Sequence, residues 1–245
     1  EACVLDCFVE AGSELQRTQV APEADAFTFA EIAGHDGVEP AEEDFADAEA
    51  ADVLASLRAA TNEMDEAEVS TGSRILFITP TLKGALDDFS LANPARSNRV
   101  LERFSRIVEV PQTRFYSAIA LNSGDGDQFG YSRAEGTYQL TEDTSVVSGK
   151  TYYTKSGEQY TPVSSPASGS LSSYYELVGA GAPINFMVVE RSAVIKFDKH
   201  VASRVFSPDE LENLDSYMMK YRKYGIVELL DNKLDGVHVS CAPLA

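Results

Sequence analysis

The stretch that decides the fold reads Pro183-Ile184-Asn185-Phe186-Met187-Val188-Val189-Glu190-Arg191-Ser192-Ala193-Val194-Ile195. It continues through Lys199-His200, Arg204-Val205-Phe206 and Ser207-Pro208-Asp209-Glu210 to Tyr217–Tyr224 and Leu229–Cys241. Ile184 to Val189 is an apolar run of strand length, the pattern of a buried strand. Ser207 reads as a helix N-cap. Pro208 sits at the first helical position, where its missing N–H costs nothing, and Glu210 can reach back to the cap. Alternation puts Tyr217, Met219 and Tyr221 on one face of a strand and Lys220 and Arg222 on the other. Asp231-Asn232 and Asp235-Gly236 are turn-prone, so the chain should reverse between Leu230 and Val237. These residues predict an antiparallel hairpin packed under a short helix.

The 245 residues, 44% of them hydrophobic, suffice for one large domain or two small ones with a real core. No apolar run approaches the roughly 20 residues of a membrane span, and residues 1–20 lack the basic start and cleavage-type end of a signal peptide. The chain starts at Glu1 within what reads as a helix, so natural sequence is expected ahead of it. The net charge of −19 is unevenly spread: residues 1–70 hold 19 Asp and Glu against two Lys and Arg. Such a surface disfavours direct phosphate binding and suits a solvated face or a partner with a basic one. Cys3, Cys7 and Cys241 do not make a disulfide framework, and Cys3 and Cys7 share a helix face without two further metal ligands nearby. Reduced cysteines and no metal are the expectation.

Toward the N-terminus, Val4, Leu5, Phe8, Ala11 and Leu15 recur at helical spacing, and Ala24, Phe27, Ala30 and Ile32 resume it. Pro22 should kink or restart that helix. A second helix is predicted over Glu42–Ala67, with Val53, Leu57, Ala60, Met64 and Ala67 on its apolar face. Arg74–Ile78 reads as a short buried strand, Thr79-Pro80 as the opening of a helix through Leu86, and Arg106–Pro111 as a strand closed by proline. Gly124–Gly130 is a loop rich in Gly and Asp. Asp125 and Asp127 suggest a calcium loop, but Phe129 and Gly136 occupy positions that need oxygen ligands. Residues 137–178 differ from the rest, with six of the eleven tyrosines, nine serines, six threonines and no Phe, Ile or Met. They predict an inserted meander of three or four strands punctuated at Ser148-Gly149, Ser156-Gly157 and Ser168-Gly169. Its flanks, Ala134-Glu135-Gly136 and Gly179-Ala180-Gly181-Ala182, would join as a surface loop without it.

The ordered set from Ile184 to Cys241 (buried strand, Ser-Ala-Val, Lys-His, Arg-x-Phe-Ser-Pro-Asp, basic-aromatic strand, Asp-Asn-Lys turn, strand) resembles the C-terminal part of tailed-bacteriophage major capsid proteins with the Hong Kong 97-type fold. Two more strings agree with that family: Arg17-Thr18-Gln19-Val20-Ala21-Pro22-Glu23-Ala24-Asp25-Ala26-Phe27, similar to a segment of its spine helix, and Val110-Pro111-Gln112-Thr113-Arg114-Phe115. The string around Val146-Val147-Ser148-Gly149-Lys150-Thr151-Tyr152-Tyr153-Thr154 resembles a small module of other phage structural proteins. The resemblance covers residues 1 to about 133 and 180 to 241. It implies an α+β Hong Kong 97-like fold with residues 1–40 and 190–245 in a peripheral lobe, whose sheet includes Ala193–Phe206 and Tyr217–Ser240. Residues 41–133 and 180–189 would form an axial lobe, and residues 134–179 an inserted Tyr/Ser/Thr-rich β subdomain.

The implied function is structural: a head-shell subunit of a phage or prophage, made in the bacterial host cytoplasm. It would assemble as hexamers and pentamers into an icosahedral shell around double-stranded DNA, without sequence-specific DNA binding. Scaffolding, portal or decoration proteins are the further partners implied, and no membrane. The family's N-terminal arm and extended hairpin loop are absent from these residues, so this chain is expected to be a monomer or small oligomer. An encapsulin-type compartment shell protein is the alternative on the same fold. A surface- or carbohydrate-binding protein using the Tyr-rich module is the alternative from another class.

The sequence offers no catalytic, cofactor-binding or metal constellation. Gly130-Tyr131-Ser132-Arg133-Ala134 is one residue short of a nucleophile elbow and lacks a strand-to-helix context. No phosphate-binding glycine loop is present. His200 reads as a surface residue of a strand edge, and His238 as pointing outward between Val237 and Val239.

Overall fold

The computed structural model describes residues 2–124, 129–147, 150–163, 166, 171–211 and 216–244. The calcium-loop residues Asp125 and Asp127, the Ser148-Gly149 and Ser168-Gly169 turns and the side chains of Cys3 and His200 lie outside what it describes. The fold is mixed α and β.

Helix α1 (Ala2–Leu15) runs through a π turn (Gln16–Val20) directly into helix α2 (Ala21–Ala33). The expected interruption at Pro22 is a change of winding. Val20 and Ala21 keep right-handed helical dihedrals, and the Ala21 N–H donates to the Gln16 carbonyl five residues back. The wider π turn makes room for a ring that cannot follow the ordinary ladder. The result is one continuous rod. A two-residue strand β1 (Ala41–Glu42) follows, and helix α3 is Ala50–Glu66. The helix expected from Glu42 thus begins eight residues late, because 41–42 pair with a distant strand and Glu43 is held by side chains from elsewhere. Its start is fixed at Glu49, whose backbone N–H donates to the Asp52 carboxylate at 3.0 Å.

Strand β2 (Arg74–Ile78) and helix α4 (Pro80–Ala92) fall where the sequence puts them, with α4 running past Leu86 to Ala92. Helix α5 (Pro94–Leu101), strand β3 (Arg106–Glu109), the short hairpin of β4 (Ile119–Leu121) and β5 (Tyr131–Arg133), and strand β6 (Glu135–Leu140) come next. Then follow β7 (Tyr152–Ser156), β8 (Gln159–Val163), β9 (Tyr175–Ala180), β10 (Ile184–Glu190), β11 (Val194–Phe206), β12 (Met218–Leu229) and β13 (Val237–Cys241).

The main sheet has the order β1-β13-β10-β2-β3, with β10 antiparallel to both neighbours. Its two faces are covered differently. Phe186 and Val188 of β10 join Leu76 and Ile78 of β2 under Val53, Leu54, Leu57 and Met64 of α3 and Leu86 of α4. Met187 and Val189 point the other way, to Phe29, Ile32 and Ala33 of α2 and to Val237 and Val239 of β13. A strand covered on both faces needs apolar residues at successive positions, which explains the unbroken run. Phe29 meets Phe115 and Phe77 edge to face, at 4.9 and 5.2 Å between centroids. Arg74, 1% exposed, pairs with Asp65 at 2.7 Å and donates to the carbonyls of Thr61, Val69 and Ser70. It stitches the start of β2 to the end of α3.

Strands β11 and β12 form a separate two-stranded ribbon, in register from Val194↔Leu229 to Phe206↔Met218, with a bulge between Asp198 and His200. The expectation of one peripheral sheet spanning 193–240 is therefore corrected at its end. After the turn at Asp231–Gly236, β13 leaves the ribbon and inserts between β1 and β10. Apolar Val237 and Val239 are buried against α2, a burial that continued ribbon pairing would not supply. The short helix expected after Ser207 is a single 3-10 turn, Pro208–Glu210, with the Ser207 N–H donating to the Glu210 carboxylate at 3.1 Å.

The Tyr-rich stretch makes its own four-stranded sheet, order β6-β9-β7-β8. It leaves and returns side by side: Glu135 pairs with Ala180, and the Gly181 N–H donates to the Ala134 carbonyl at 2.9 Å. The stem requires glycine at two places. Gly136 has φ +73°, and a Cβ on Gly181 would stand 2.1 Å from the Ala118 carbonyl oxygen.

Candidate functional site

A concavity of about 870 Å³ is a groove between the rod and the ribbon. Leu15, Val20 and Phe27 line its rod wall, and Tyr221 and Val227 its ribbon wall. Leu121 and Phe129 of the β4–β5 hairpin stand at its rim, 54% and 67% exposed. Its charged residues include Lys223, which meets Asp198 at 3.4 Å, and Lys196. This is an open apolar trough with charged edges.

The opposite face of the ribbon also carries large apolar side chains, and they stay about half exposed. Register places Ile195, Phe197, Tyr224 and Ile226 on one side, with Phe197 directly across from Ile226. Their exposures are 47%, 59%, 56% and 55%. Farther along the same face come Arg204, Lys220 and Arg222. The Arg204 and Lys220 cations lie 4.5 and 4.9 Å from the centroid of the Phe206 ring. The alternation expected of Tyr217–Arg222 holds over the described strand: Met219 and Tyr221 turn toward the rod, while Lys220 and Arg222 face solvent.

The residues considered for chemistry are dispersed. Ser132 is exposed on β5. His238 does not point outward as expected. It stacks on Phe186, 6.0 Å between centroids and 14° apart, and its Nδ1 lies 3.4 Å from the Glu63 carboxylate of α3. Even positions of β13 face the layer of α3, so burial lowers the His238 pKa although Glu63 and Glu43 oppose the shift. Cys7 is exposed, and the buried Cys241 thiol is pushed up to about 12 by desolvation. Among the described residues no three His, Cys, Asp or Glu stand close enough to hold a metal ion. Among the described residues no helix is long and apolar enough to cross a membrane.

Two carboxylate knots were not legible in the sequence. Glu43 accepts the hydroxyls of Ser56 (2.6 Å) and Ser240 (2.5 Å). Its backbone carbonyl accepts from the Asn185 amide at 2.8 Å. Glu190 accepts from the hydroxyls of Ser73 and Ser192, each at 2.5 Å, and from the Ser192 N–H at 2.8 Å. Burial would raise the Glu190 pKa, but these donors and the nearby Lys233 outweigh it, and the net shift is downward. The first ties the end of β1 to α3, β10 and β13, and the second ties the end of β10 to the turns at Ser73 and Ser192. The one sequence signal was a lone Glu closing an apolar strand, two residues before a serine.

In the inserted sheet the tyrosines pack on one another. Tyr138 stacks on Tyr160 at 4.0 Å and 6°, and Tyr153 and Tyr175 meet that pair edge to face. Tyr152 is fully buried and donates its hydroxyl to Asp143 at 2.7 Å. Lys150 bridges Asp143 and Glu176. Burial lowers the Lys150 pKa, but those hydrogen bonds more than reverse it. Ring faces that would stack on a sugar are largely used within the module.

No protein-family model matches the chain, and no curated protein is significantly similar to it.

Proposed function

We propose that this chain is a shell-forming structural protein, the major capsid subunit of a tailed phage or prophage with the Hong Kong 97-type fold. The observation that carries the reading is an arrangement. A rod of residues 2–33 lies along a ribbon of residues 194–206 and 218–229, beside a compact lobe built on a mixed sheet. The Arg17–Phe27 string spans the π turn and the first half of α2, and Val110 and Phe115 share a core with Phe29, which supports reading these strings together. An extended α/β body with a long open ribbon suits a subunit that tiles, since each copy must offer surface to several neighbours. The charge of −19 suits DNA enclosed rather than gripped.

Electron microscopy of the whole reading frame that encodes these residues, expressed alone and with a scaffolding protein, tests the reading. Closed particles of uniform diameter are expected. A product that stays monomeric under every salt and scaffold condition contradicts it.

A further inference from the structure

The inserted sheet has two outer strands, and they differ in how they end it. Strand β8 carries Pro162, whose nitrogen has no proton to offer a further strand, a common way of closing an edge. Strand β6 carries no Pro or Lys, and from Gly136 to Leu140 it carries no charge. The hydrogen bonds that β6 already makes show which of its groups are free. The Thr141 N–H donates to the Tyr174 carbonyl at 3.0 Å, and Leu140 stands opposite Tyr175. Inward and outward groups alternate along an antiparallel strand. Thr137 and Gln139 therefore bond toward β9, while the N–H and C=O of Tyr138 and Leu140 point away from it. Among the described residues no strand pairs with that side.

The side chains along this edge are open as well. Leu140 is 55% exposed and Tyr138 37%, and Thr137 and Gln139 are exposed. Beside the start of β6 lies a shallow concavity of about 480 Å³, lined by Ala120, Arg133, Gly136 and Thr137. It leaves room next to the stem, where the main body stands closest to this edge.

We infer that β6 pairs antiparallel with β6 of a second copy of this chain, about a two-fold axis at Tyr138, so that two inserted sheets become one. Self-complementarity selects both the occupant and the register. A two-fold axis normal to a sheet sets residues of equal parity opposite each other, because paired side chains share a face. The free groups belong to even-numbered residues, so the hydrogen-bonded pairs must be even. Centring on Tyr138 meets both conditions. Tyr138 exchanges its two bonds with Tyr138 of the second copy, and Leu140 lies against Gly136 of the second copy, which has no side chain to clash. Thr137 then faces Gln139 of the second copy, and neither is charged. A centre at Gly136 or at Leu140 would carry the pairing off the end of the strand, since β6 spans Glu135–Leu140. The contact is isologous and closes at two copies. It stands apart from the shell reading and does not depend on it.

Sedimentation velocity and a register-specific cross-link test this in the 245-residue chain. The wild type should show a dimer that builds up with concentration. Leu140→Pro removes an outward N–H and leaves the bonds to β9 in place, so it should weaken the dimer at least about tenfold with unchanged circular dichroism. Thr137→Cys and Gln139→Cys are then made in separate chains, each also carrying Cys3→Ser and Cys7→Ser. The inferred register makes 137 and 139 a non-hydrogen-bonded pair, with Cα atoms about 4.5 Å apart and within reach of a disulfide. Mild oxidation of the mixture should therefore give a cross-linked dimer much faster than either variant alone, whose like positions meet only on the diagonal. A wild type that stays monomeric up to about 1 mM overturns the inference. So does a Leu140→Pro chain that dimerises like the wild type, or a mixture that cross-links no faster than its components.

Discussion

Strands β10 and β11 are consecutive, joined by only Arg191, Ser192 and Ala193, and both are rich in large apolar residues. Their circumstances are opposite. In β10, Phe186, Met187 and Val188 are 0% exposed, held between two helical layers and two neighbouring strands. In β11, Ile195 and Phe197 are about half exposed, although the chain continues in the same extended conformation. The main sheet is completed by its own chain. The ribbon packs against the rod on one face and keeps large apolar side chains about half exposed on the other.

The sharpest way to break this contrast is a matched pair of truncations. Phe186→Ala opens a cavity between β10 and α3 and should cost about 3–5 kcal/mol in denaturant unfolding. Phe197→Ala, the same chemical change eleven residues later, should stay within about 0.5 kcal/mol under conditions where the chain is monomeric. Equal losses would mean that the ribbon is part of the same cooperative core.

A second test concerns which parts of the main body depend on the insertion. Deleting 135–180 and joining Ala134 to Gly181 through a short Gly linker should leave one cooperative thermal transition. Those two residues are already hydrogen-bonded at 2.9 Å, so closure needs little rearrangement. The Tm should fall by no more than about 4 °C, a loss of about 1 kcal/mol at this chain size. An unfolded product would show that the module supports the edge near Cys241 and Leu244, against which Tyr153 and Leu177 are placed.

Much of the main sheet was legible, because a buried strand announces itself locally. Arg74–Ile78 and Ile184–Val189 are short apolar runs bounded by polar residues, and α3 shows its spacing at Val53, Leu57, Ala60 and Met64. Pairing was less legible. Nothing in Val237–Cys241 says that it leaves its hairpin neighbour to lie beside Ala41 and Ile184, since that choice depends on the cover α2 offers. The same gap hid the role of Glu43, whose partners Ser56 and Ser240 lie 13 and 197 residues away. The open face of the ribbon was also hidden. Both of its faces alternate apolar residues, and only the position of the rod decides which face is covered.

Acid titration separates the two regions more gently. His238, buried against Phe186 in the main sheet, has its folded pKa held below the ordinary 6.5. As pH falls the unfolded chain binds the proton first, so stability from this group is full above about pH 6.5 and is lost as pH falls through the folded value. Glu190, lowered from its ordinary 4.5, contributes a second loss at more acidic pH by the same reasoning. His238→Gln should flatten the first of these steps in a pH series of urea midpoints. An unchanged profile would place the first step elsewhere.

The smallest effect expected is a difference in thiol reactivity. Cys7, exposed on α1, should react with a disulfide reagent in native buffer. Cys241, with its thiol pushed up to about 12, should react only on unfolding. Prompt reaction of Cys241 would mean that the edge of the main sheet opens readily.

Hydrogen–deuterium exchange of the native chain tests the central contrast most directly. Amides of 184–190 are expected to exchange only with global unfolding, and those of 194–206 and 218–229 through cheaper local opening. Equal protection of the two regions, or a ribbon better protected than β10, would contradict it.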